Sequence, residues 1–114
     1  MPTLNGGARW AAALILVLGP LLQVVEFLLE YTTGDNAARV AFWAANPERV
    51  ELGKAAGLLA VPFLLYGTAI LVVLTKETSR RLALFGGALV GCAMIGLGAA
   101  HGYELAAYGL VRSG

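Results

Sequence analysis

Residues 55–74 read AAGLLAVPFLLYGTAILVVL, twenty residues in a row without a charge. A helix rises about 1.5 Å per residue and a bilayer hydrocarbon core is about 30 Å thick, so such a run crosses it once. Two more runs, residues 10–29 and 82–100, have nearly the same length and character. Within lipid, each backbone N–H and C=O needs a partner inside the segment, and a helix provides it. The expected fold is therefore all-α: an integral membrane helical bundle with three transmembrane helices, formed by residues 1–114 as one transmembrane domain.

The composition agrees. Only 13% of the 114 residues are charged, where soluble domains carry roughly 25%. Mean hydropathy is +0.76. A net charge of +1 gives no reason to expect nucleic acid as a partner. The single Cys92 cannot form an intrachain disulfide, and its place in an apolar run makes it a packing residue. One basic residue, Arg9, precedes the first run, but no small-x-small cleavage motif follows it, so the run is expected to be a retained anchor.

Local signals bound the helices. The first should run over about residues 7–31, kinked at Gly19-Pro20 and stopped near Gly34. Residues 35–45 form a short interfacial helix between spans 1 and 2. Asp35 is its cap, and Arg39 and Trp43 share a face that sets Trp43 at headgroup level. Asn46-Pro47-Glu48 is a strong helix start: a capping amide, a proline in the first turn and an acid at the positive dipole end. That second span should reach Thr75. A polar loop, 76–81, leads into the third, from about 80 to 107 or beyond, with residues 111–114 frayed.

Three crossings put the two ends on opposite sides. Lys76, Arg80 and Arg81 against Glu77 make the tight loop the densest basic segment, and basic loops favour the cytoplasm. The expected orientation is N-terminus cytoplasmic and C-terminus extracytoplasmic, in a bacterial cell membrane.

The same topology gathers the unusual polar residues. Gln23, Glu26 and Glu30 lie on one face of the first span. His101 and Glu104 sit three apart near the end of the third, and Lys54 stands at the start of the second. All emerge at one membrane face. An acid at the centre of a span costs about 2.5–3.5 kcal/mol on insertion scales, and such residues recur in proton and ion paths. Three readings apply: a hydrogen-bond and ion-pair network in which Lys54 pairs a glutamate and His101 bonds Glu104; a proton or cation path; and a metal site. The metal reading is the weakest, because there is one His and no second Glu-x-x-His unit. No metal, cofactor or catalytic residue is assigned, and no catalytic motif points to an enzyme.

Small residues recur at four-residue spacing. Ala83, Gly87 and Gly91, then Gly98 and Gly102, mark the third span, and Gly53 and Gly57 the second. In lipid such spacing lets backbones approach closely, within the chain or between copies. Gly19-Pro20 and Pro62 fall near mid-membrane, where transporters break helices around a substrate, although prolines in spans commonly have no such role.

Three stretches, Arg9-Trp10-Ala11-Ala12-Ala13 leading to Gly19-Pro20, Ala44-Ala45-Asn46-Pro47-Glu48-Arg49, and Arg80-Arg81-Leu82-Ala83-Leu84-Phe85-Gly86-Gly87, together resemble uncharacterised multi-pass membrane proteins of high-GC bacteria. The resemblance implies a helical membrane protein and no particular activity. Its members often being longer implies either a partial unit or a subunit completed by partners. The expectation is a structural or regulatory component of the bilayer, packing against itself or a larger membrane complex. The alternative is a transporter or a proton- or cation-conducting protein using the Glu/His cluster. The sequence specifies no small-molecule ligand.

Overall fold

The computed structural model describes residues 5–114 as four helices: α1 (Gly6–Glu30), α2 (Asn36–Ala45), α3 (Pro47–Thr75) and α4 (Arg80–Ser113). Three of them, α1, α3 and α4, are long and apolar enough to cross a membrane. Helix α2 is the short element between the first two spans. Large apolar side chains point outward along every span, among them Trp10, Val17, Val73, Phe85 and Ile95. An outer surface of this kind suits lipid rather than water.

Helix α3 is the central element. Both α1 and α4 pack along it, and they do not pack backbone-to-backbone against each other. Glycines set the α1–α3 approach. A Cβ on Gly19 would lie 2.9 Å from Leu64 Cδ2 and 3.2 Å from its backbone nitrogen, and one on Gly67 would lie 3.2 Å from Leu16 Cδ2. Further along the same antiparallel register, Gly57 faces Glu26 and Gly53 faces Glu30. The close approach thus continues from mid-span to the polar end.

Several local details differ from the sequence expectation. Asp35 does cap α2, its side chain accepting from the Ala38 N–H at 3.0 Å. Asn46 gives α3 no side-chain cap. Its Nδ2 donates instead to the Phe42 carbonyl at 3.0 Å, closing the end of α2. The amide is shared between two abutting helix ends, and the C-terminal carbonyl takes it. Pro20 and Pro62 lie inside uninterrupted helices, so neither breaks its span. The segment expected to fray is helical to Ser113, because Arg112 pairs with Glu51 of α3 at 3.4 Å.

The short helix also turns the other way. Trp43 is buried rather than set out at headgroup level. It stacks edge-on against Tyr108, with ring centroids 6.0 Å apart, and covers Lys54. Trp43, Val50 and Tyr108 form a small apolar cluster there. The Tyr108 hydroxyl donates toward the Pro47 carbonyl and Glu51, each at 3.2 Å, tying the end of α4 to the start of α3. Cys92 faces outward rather than packing inside.

Candidate functional site

The end of α1, the start of α3 and the last third of α4 meet at one end of the molecule. There the structure brings together Gln23, Glu26, Glu30, Lys54, His101 and Glu104 in two layers. In the outer layer, the Lys54 ammonium donates to Glu30 Oε2 at 2.8 Å and to Glu104 Oε2 at 2.6 Å. Its side chain is only 3% exposed. The Trp43 ring lies over the ammonium, 4.9 Å from ring centroid to Nζ, adding a cation–π contact. Arg39 of α2 reaches the other oxygen of Glu104 at 3.8 Å. Lys54 therefore pairs two glutamates on two different helices, not one.

The inner layer lies one helical turn deeper. His101 Nδ1 is 3.2 Å from Glu26 Oε1. Its partner is thus Glu26 across the helix gap, not Glu104 three residues away, which Lys54 and Arg39 engage. Gln23 Nε2 sits 3.2 Å from Glu26 Oε2, 3.4 Å from His101 Nε2 and 3.5 Å from the Gly57 carbonyl. An amide nitrogen only donates. With the Gln23 nitrogen toward it, His101 Nε2 accepts and Nδ1–H donates to Glu26; with the amide turned, the Gln23 oxygen accepts from Nε2–H. Were Nε2 to gain a proton, two donors would face each other, and the Gln23 amide would have to turn its oxygen inward.

Gly57 and Gly53 make room for this arrangement. A Cβ on Gly57 would overlap the Glu26 carboxylate, and one on Gly53 would lie 2.9 Å from both Cγ and Oε1 of Glu30. These glycines, expected to let helices approach, also form a cradle for carboxylates. Ala83 is buried and Gly87 packs on Val72, whereas Gly91, Gly98 and Gly102 have nothing within 4 Å of a Cβ position.

A pocket of about 350 Å³ opens between α1 and α4, which flank α3 and meet each other only through side chains. Glu26, Glu30, His101 and Glu104 line its polar part, Phe27, Tyr31, Leu97 and Ala100 its apolar part, and Arg39 its rim. Ligand atoms of Glu26, His101 and Glu104 lie within 4.8 Å of one another, a spacing that a divalent ion could bridge. Against that, the Lys54 ammonium and the Arg39 guanidinium hold both oxygens of Glu104. Two cations beside one ligand oppose a third.

Arg39, Trp43 and the carboxylate cradle were not assigned to the site from sequence. Only the Arg39–Trp43 spacing signalled a shared face, and it did not say that the face turns inward. Among known proteins, no family model, no curated protein and no solved structure matches this chain.

Proposed function

We propose that this small membrane protein takes up and passes on a proton or small cation at the Glu26–His101 pair, acting as a proton- or cation-conducting component. The observation that carries this is the 3.2 Å contact between a buried imidazole and a carboxylate within helices of membrane-crossing length. Acids and histidines inside spans are costly and characteristically mark such paths. Charge gives a second support. Lys54 and Arg39 pair with Glu30 and Glu104, whereas the Glu26 carboxylate meets only the His101 ring and the Gln23 amide and has no Lys or Arg of its own among the described residues. A proton supplies the missing positive charge. Arriving at His101 Nε2, it forms the imidazolium while Gln23 turns. The Nδ1 proton then passes to Glu26, leaving a neutral carboxylic acid and a neutral imidazole protonated at Nε2. Reconstituted liposomes with an internal pH-sensitive dye test this. Wild-type flux should exceed that of empty liposomes and fall at least tenfold in Glu26→Gln. Equal flux in the two proteins, or none in wild type, overturns it.

A second reading is a structural or regulatory component packing against itself or a larger membrane complex. The open positions at Gly91, Gly98 and Gly102 favour it. Gly91→Leu should then lower the oligomer size measured in mild detergent, and an unchanged size removes this reading. In either case we place the N-terminus in the cytoplasm of a bacterial cell, from the basic loop 76–81, so the cluster faces outward.

A further inference from the structure

The pocket between α1 and α4 has features that a proton alone does not need. Its volume of about 350 Å³ lies within the range of small-molecule sites, which is roughly 300–1,000 Å³. Its lining is mixed. Carboxylates and the imidazole line it together with Phe27, Tyr31, Leu97 and Ala100, each helix contributing both kinds. The Phe27 and Tyr31 rings stand beside each other at a centroid distance of 5.3 Å, presenting an aromatic surface. The cleft is open because α1 and α4 do not close on each other, so an apolar ligand could enter from the lipid side. Glu26 is the carboxylate of the lining that no Lys or Arg side chain pairs among the described residues.

We infer that this pocket binds an organic ammonium ion carrying an apolar or aromatic substituent, and that the ammonium and a proton compete for the Glu26–His101 pair. The ammonium donates to Glu26, the carboxylate not engaged by Lys54 or Arg39, while its substituent rests on Phe27, Tyr31 and Leu97. An aromatic face near a cation adds electrostatic attraction. A metal ion would leave the apolar lining unused and would meet the two cations on Glu104. A neutral ligand of the same shape would leave Glu26 without a cationic partner. The inference rests on the charge-exchanging pair proposed above and adds the class of ligand to it.

Isothermal titration of the full chain in detergent micelles with benzylamine hydrochloride tests it, with benzyl alcohol and Zn²⁺ as comparison probes. Benzylamine should bind saturably, one per chain, and benzyl alcohol should not. Its apparent affinity should fall about tenfold per pH unit on the acid side, as for one competing proton. Glu26→Gln should weaken binding at least tenfold. Ala100→Leu, which fills the pocket and removes no charge, should also abolish binding. Equal binding of benzyl alcohol would mean apolar partitioning and overturns the inference. So does saturable Zn²⁺ binding with no benzylamine binding. Absent benzylamine binding alongside Glu26-dependent flux overturns the ammonium site alone, saturable benzylamine binding without flux overturns the proton reading, and pH-independent binding overturns the competition inferred here.

Discussion

Replacing Gly57 with alanine adds one methyl group where the Glu26 carboxylate now lies. The obstructed atoms are the end of a flexible side chain, so the clash itself is relieved cheaply by moving Glu26. The cost lies in what Glu26 leaves behind: the His101 Nδ1 contact at 3.2 Å and the Gln23 contact at 3.2 Å. Hydrogen bonds to charged groups contribute about 1.5–3 kcal/mol, and losing one also leaves a buried partner unsatisfied. Gly→Ala in a helix returns about 0.5–1 kcal/mol through backbone entropy. The expected net destabilisation of Gly57→Ala is therefore about 0.5–2.5 kcal/mol if one of the two contacts is lost, the difference between those two terms, and more if both are. Gly91→Ala is the matched control, since its Cβ meets nothing within 4 Å. It should be neutral, or stabilising by up to about 1 kcal/mol. Reversible unfolding in mixed micelles, followed by far-ultraviolet circular dichroism, measures both. If Gly57→Ala gains stability to the same extent as Gly91→Ala, Glu26 does not occupy the cradle, and the inner layer of the site is wrongly drawn.

Three other outcomes follow from the same contacts. Lys54→Met leaves Glu30 and Glu104 facing each other with their shared cation gone; breaking a buried pair costs about 3–5 kcal/mol, and adding Glu30→Gln should recover part of it in the same unfolding assay. Tyr108→Phe removes the hydroxyl shared with Pro47 and Glu51 and should cost about 0.5–1.5 kcal/mol, whereas Tyr108→Ala, which also empties the space beside Trp43, should cost about 3–5 kcal/mol. Brominated lipid should quench Trp10 strongly and Trp43 weakly in single-tryptophan variants, because Trp10 is 74% exposed and Trp43 5%; equal quenching would return Trp43 to the lipid surface.

The three crossings were readable because apolar runs of hydrocarbon length have few other uses, and the gathering of Glu26, Glu30, Lys54, His101 and Glu104 at one end followed from the odd number of crossings. Who pairs with whom was not readable. His101 and Glu104 are three apart on one helix, which suggests mutual bonding. Their partners are instead set by the depth at which α1 lies on α3, and that depends on the close approach at Gly19 and Gly67. Gly19 looked like a kink residue because Pro20 follows it. Spacing also could not separate glycines that touch a neighbour from those that do not: Gly57 and Gly91 obey the same four-residue rule, yet one cradles a carboxylate and the other faces open space. Likewise the Arg39–Trp43 spacing defined a face of α2 but not its direction, which depends on the Tyr108 ring and the Lys54 ammonium waiting beneath it.

The polar site requires α1, α3 and α4 each to cross the bilayer once, so that the ends of α1 and α4 meet the start of α3 on the same side. Single-cysteine variants in a Cys92→Ala background, labelled in sealed vesicles with a membrane-impermeant maleimide, test this directly. Cysteines at Asn5 and Thr78 should react from one side, and those at Asp35 and Ser113 from the other. Labelling of Asn5 and Ser113 from the same side would contradict the crossing pattern and separate the residues that form the site.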